Sequence, residues 1–113
     1  MNSSRAALLV GALVIASVFG VAGFANAQSS DHLSDVGFIG AARCAGLAEG
    51  SHTDAAALTA LLAREETRHP AYAIDRADEV RAEAKVHAAR ATGYDKQSIA
   101  DELAGRCQTY LKG

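Results

Sequence analysis

Tryptophan is absent from the 113-residue chain, proline and methionine each occur once, and there are only three phenylalanines and three tyrosines. A core built on large aromatic side chains is therefore excluded, as is a proline-rich extended linker. Cysteine occurs twice, too few for a four-thiolate zinc site, and no Cys-x-x-Cys pair is present for dithiol exchange. There is no Gly-x-Ser-x-Gly elbow, no His-Glu-x-x-His zinc pair and no glycine-rich phosphate loop. Lysine and arginine are never clustered, and the formal net charge is −2. This excludes the basic footprint that nucleic acid or an anionic membrane surface requires.

What is present begins with one long apolar run. The start "MNSSR" is followed by "AALLVGALVIASVFGVAG" and then "FANAQSS". A basic lead, an uncharged stretch and the small-x-small pair Ala25 and Ala27 form a secretory signal peptide with its cut after Ala27. The glycines inside the run shorten its apolar core, and no basic stop-transfer cluster follows, so cleavage is expected rather than anchoring. Residues 1–27 are thus assigned to the leader, 28–34 to a polar lead-in, and 35–113 to one folded domain. Loss of Arg5 with the leader takes the formal charge from −2 to about −3. No stable membrane insertion is expected after cleavage.

A short, alanine-rich mature chain buries a small fraction of its surface and benefits from a covalent staple. Cys44 and Cys107 are the only cysteines. In the oxidising space beyond the inner membrane, periplasmic or extracellular, they are expected to form a disulfide.

Helix punctuation is dense from residue 34 onward. Ser34 or Asp35 can cap a first helix running to about Ala48, with Gly50 expected to end it in the left-handed conformation. Its apolar stripe is read as Val36, Ile39, Cys44 and Leu47, interrupted by Arg43. A second helix is expected from the "SHTD" stretch, capped through Ser51 and Asp54 or by Thr53, with Leu58, Leu61, Leu62 and Glu65 on one face. Pro70 ends it near Thr67 and opens a third helix over 70–91. That helix has an inner face of Ala73, Ala77, Val80, Ala84, Ala88 and Ala91. A fourth is capped by Asp95, with Tyr94 and Ile99 as a hydrophobic staple, and carries Leu103, Cys107 and Tyr110 on its stripe. No alternating, strand-like pattern competes. The expected fold is all-α: a compact bundle of about four short helices, with the disulfide joining the first helix to the last.

Candidate sites are sparse. Phe38, Tyr72 and Val86 project off the expected inner faces and form a candidate partner or homodimer surface. His87, one turn after Glu83 at the border of the alanine face, is the candidate pH-sensitive pair. His32 and His52 are read as solvated. His69 follows Glu66 at the Glu-x-x-His spacing of di-metal bundles. Such sites need a second copy of the motif with further carboxylates facing it, and His69 immediately precedes the helix-breaking Pro70, so no metal or other cofactor is expected. No catalytic residue is assigned.

These readings favour a small exported, non-enzymatic helical protein that binds another envelope or secreted protein. Two alternatives stay open. A leader, a short helical mature chain and two cysteines resemble in layout the small periplasmic acid-activated chaperones of the HdeA type. That resemblance implies that protonation of carboxylates and histidines loosens the bundle while the disulfide limits its expansion. The other alternative is a metal- or ligand-binding bundle using Glu66, His69, Glu83 or His87.

Overall fold

A computed structural model describes residues 32–112. The expected leader and its cut after Ala27 lie outside the described residues, as does most of the polar lead-in. The helices are α1 (Asp35–Gly50), α2 (Ala56–Glu65), α3 (Ala71–Arg90), α4 (Gly93–Ala104) and α5 (Arg106–Lys112), with a 3-10 turn at Glu66–Arg68. The expected all-α bundle is found. Its fourth helix is broken at Gly105 into α4 and α5, and Cys107 sits in the second piece.

Helix α1 is the centre of the packing. Ser34 caps it, its hydroxyl accepting a hydrogen bond from the Gly37 amide at 3.0 Å. Phe38, Ala41, Ala42, Cys44, Ala45, Leu47 and Ala48 are all buried, so the burial wraps most of the helix instead of following one stripe. Val36 was expected in that stripe but is exposed, because Phe38, two residues on and roughly 200° round the helix, is the side chain turned into the core.

Helix α3 runs beside α1 in the same direction. Gly46 lies against the Arg81 carbonyl and Ala84, and Gly50 lies against the Lys85 carbonyl and Ala88. Both glycines let backbone meet backbone, and a Cβ at either would overlap a carbonyl of α3. This explains why Gly50 lies inside α1 instead of terminating it as expected. The left-handed residue is His52, with φ 59°, while Ser51 closes the helix by donating its hydroxyl to the Leu47 carbonyl at 2.8 Å. Ala73, Ala77, Ala84 and Ala88 form the buried face of α3, as its spacing predicts, while Val80 and Ala91, expected on the same face, are only half-buried.

Helix α2 lies across the first half of this pair and buries Leu58, Leu61, Leu62 and Glu65. Ser51 is already committed to α1, so the expected capping box does not form. Asp54 instead accepts from the Ala56 amide at 2.9 Å. Between α2 and α3 remains a cleft of about 170 Å³ with Phe38, Leu62, Ile74 and Ala77 among its walls. Helix α4 begins at Gly93, φ 53°, earlier than the expected Asp95 cap. Tyr94 is 85% exposed, so no staple to Ile99 forms. Ile99 alone of α4 is buried.

Cys44 and Cys107 are joined by a disulfide, with Cα atoms 5.7 Å apart, and both are buried. Arg43, which interrupts the predicted stripe, flanks this link in a two-pronged pair with Glu102. Its Nε and Nη2 reach the carboxylate oxygens at 3.0 and 3.1 Å, and this pairing raises the Arg43 pKa against the opposing effect of burial. No helix among the described residues is long and apolar enough to cross a membrane.

Candidate functional site

The one buried constellation of ionisable groups among the described residues gathers at the amino-terminal end of α1. Glu65 closes α2 on its apolar face, one turn after Leu61 and Leu62, and the spacing that buries the leucines buries the carboxylate too. His69 follows the 3-10 turn in an extended conformation, φ −120° and ψ 148°. The succeeding Pro70 imposes this by disfavouring the helical region. The extended backbone turns the imidazole inward over α1, where it stacks on Phe38 with ring centres 4.4 Å apart and an interplanar angle of 15°.

Both ring nitrogens of His69 face carboxylates. Nδ1 lies 2.7 Å from Asp35 Oδ1 and Nε2 lies 3.2 Å from Glu65 Oε1. The imidazole is 3% exposed. Glu65 Oε1 also accepts the Leu33 amide at 3.1 Å, tying the incoming chain to the end of α2. Tyr72, in the first turn of α3, donates its hydroxyl to Asp35 Oδ2 at 2.7 Å. Four segments thus converge on one polar knot: the lead-in, α1, the end of α2 with its following turn, and α3.

The proton count follows from chemistry. An ionised carboxylate only accepts hydrogen bonds, and a neutral imidazole donates from one nitrogen only. Two carboxylate contacts therefore require either an imidazolium or a protonated acid, so the set Asp35, His69 and Glu65 holds one proton more than a neutral ring between two ionised acids. Desolvation pushes the His69 pKa down, but hydrogen bonds to Asp35 and Glu65, with their charges, outweigh it and leave the pKa raised. The hydrogen bonds from His69 and Tyr72 lower the Asp35 pKa. The same contact with Asp35 raises that of Tyr72.

The residues singled out in the sequence fall differently. Phe38 is 3% exposed and leaves the expected partner surface, because the inward histidine covers the side of α1 that seemed unoccupied. Tyr72 and Val86 remain 66% and 49% exposed. They stand fourteen residues apart on α3, roughly 21 Å along its axis, so they do not form one patch with Phe38. His87 and Glu83 are both exposed, and no hydrogen bond or ion pair joins them among the described residues. The expected half-buried histidine on the seam is not found there, because Ala84 and Ala88 are the positions of α3 that face α1. The acid that pairs with His69 is Glu65, four residues earlier, and not Glu66. Both imidazole nitrogens are engaged, so the ring has no lone pair directed at a metal.

The signal for this knot was present in Glu65. A carboxylate on the leucine face of a helix, followed by a histidine four residues on, marks a buried pair in need of a counterpart. Asp35 was legible only as a capping residue. The sulfur atoms of Cys44 and Cys107 and a Glu102 oxygen also lie within 4.8 Å of one another. There the sulfurs are bonded to each other and Glu102 is held by Arg43, with Arg106 at 3.9 Å, which makes the trio the setting of a disulfide. No protein family model, curated protein or solved structure matches this chain.

Proposed function

We propose that this chain is a small exported protein, periplasmic or secreted, that acts by binding another protein and not by catalysis, and that acid controls how much apolar surface it presents. The observation that carries this reading is the buried histidine held between Asp35 and Glu65 over Phe38. Around neutrality the knot is a stabilising set of charge-assisted hydrogen bonds. In strong acid both carboxylates become neutral while His69 stays charged, leaving a buried cation without a counterion, a costly arrangement. Opening the knot hydrates the imidazolium and uncovers Phe38 and the leucines of α2. The disulfide, which does not titrate, keeps α1 and α5 joined throughout. The oxidised cysteine pair is compatible with export.

The test is a titration of the exported protein from pH 7 to pH 2, following binding of a hydrophobic dye and suppression of aggregation of an acid-unfolded client protein. Dye binding and client protection that rise together as the carboxylates protonate are the expected result. A bundle that binds neither dye nor client at any pH refutes the reading.

A further inference from the structure

We propose that acid opens this protein at a single seam: α2 swings away from the α1–α3 pair, which itself stays closed. The inference rests on the acid-controlled reading above and specifies which element moves.

The two contact surfaces of α1 differ in kind. Against α3 it packs through Gly46 and Gly50, both set against α3 carbonyls and the methyls of Ala84 and Ala88. Nothing in that interlock takes up a proton. One ion pair lies beside it, Glu49 with Arg81, whose hydrogen bonds lower the Glu49 pKa. The pair is two-pronged, Arg81 Nε and Nη2 each reaching one Glu49 oxygen, and with both side chains mostly buried it holds its charge below the ordinary glutamate range. Against α2, by contrast, α1 relies on three leucines and on the polar knot.

Helix α2 is also free of covalent restraint. Neither cysteine lies in it, and the disulfide links α1 to α5. Its side facing α3 is incompletely filled, leaving the 170 Å³ cleft beside Leu62, Ile74 and Ala77. A single long hydrogen bond, from Arg81 Nη2 to Thr59 Oγ1 at 3.4 Å, crosses that side. At one end α2 is preceded by residues 51–55, which include the left-handed His52. At the other it is followed by the short turn that carries His69.

The groups facing His69 are Asp35 from α1 and Glu65 from α2, with Tyr72 of α3 acting through Asp35. Glu66 and Arg68 lie on its own turn and are exposed. Once the two facing acids are neutral, the buried imidazolium is relieved by moving the α2 end and its turn outward. Moving α3 would in addition part the close glycine and alanine packing on α1, which protonation leaves unchanged; from the knot only the Tyr72 hydrogen bond to Asp35 reaches α3.

Amide hydrogen exchange of the exported protein, disulfide intact, at pH 7 and pH 2 distinguishes the cases once rates are expressed as protection relative to the free peptide. Protection over 56–65 is expected to fall at least tenfold at pH 2, with protection over 41–50 and 77–90 retained. Equal losses in all three segments overturn the proposal while leaving the acid-controlled reading intact. Unchanged protection everywhere, with no dye binding, overturns both. In the double variant Asp35→Asn, Glu65→Gln no carboxylate faces the imidazole, so its charging alone, below the ordinary histidine range, is expected to release α2: at about pH 4.5 the variant should lose protection over 56–65 that the wild type keeps, and full protection of α2 in that folded variant at that pH also overturns the proposal. A Glu49→Gln variant is expected to leave α2 protected at pH 7.

Discussion

Replacing Glu65 with glutamine is the most informative single perturbation of the knot. Glutamine has nearly the same shape and can still accept the Leu33 amide that Glu65 Oε1 receives at 3.1 Å. What it removes is the charge opposite a ring that is 3% exposed. Hydrogen bonds to charged groups contribute about 1.5–3 kcal/mol and neutral ones about half of that, so Glu65→Gln is expected to cost roughly 1–2 kcal/mol near pH 5.5. With a urea dependence of about 1 kcal/mol/M for a domain this small, the unfolding midpoint should fall by roughly 1–2 M. Acid removes the difference in charge between a carboxyl group and an amide, so at pH 3 the two proteins should unfold at more nearly the same urea concentration. Urea titrations followed by far-ultraviolet circular dichroism at both pH values provide the test. A penalty of equal size at pH 5.5 and pH 3, or none at pH 5.5, would refute the argument that charge at Glu65 holds this corner together.

The pH profile of stability should itself be bell-shaped. The Asp35 contribution is present above the ordinary aspartate value and is lost as pH falls through its lowered pKa. The His69 contribution is complete below the ordinary histidine value and is lost as pH rises through its raised pKa. The maximum attributable to the knot therefore lies between about pH 4 and 6.5, and histidine NMR should show His69 titrating above free imidazole; a His69 pKa below about 6 would contradict the assignment. Gly46→Ala should thrust a methyl into the Arg81 carbonyl. Overpacking of about 1–3 kcal/mol, less about 1 kcal/mol of helix propensity gained, predicts a melting temperature lower by up to roughly 15 °C, measured by calorimetry. Replacing both cysteines by alanine frees a loop spanning 63 positions, worth roughly 4 kcal/mol in the chain-entropy model. This is most of the stability of a small domain, and the double variant should be substantially unfolded at 37 °C by circular dichroism.

The helical fold was legible because its signals are local. Ser34, Pro70 and the alanine spacing of α3 each act within a turn or two of chain, and the structure uses all three. The disulfide was legible because there was one way to pair two cysteines. Local signals misled where tertiary contacts compete for the same residue. Ser51 had the spacing to cap α2 but closes α1, and Gly50 looked like a terminator but is an interface residue. The polar knot was hidden for a related reason. Asp35 and His69 are 34 positions apart, and only the parallel arrangement of α1 and α3 places the start of one beside the start of the other. Phe38 looked surplus because its cover, an imidazole from beyond α2, has no periodicity of its own.

The shared direction of α1 and α3 gives the bundle an electrical polarity. The two amino-terminal ends, with the partial positive charge of their unpaired amides, come together where Asp35 and Tyr72 meet. The two carboxyl-terminal ends come together near Gly50 and Ala88, where α3 carries His87 and Arg90 in its last turn. Neutralising Asp35 therefore strips a negative charge from a pole that attracts it. Because such end charges are screened by mobile ions, added salt should weaken the aspartate's hold on its proton-free form and move the acid transition toward neutrality.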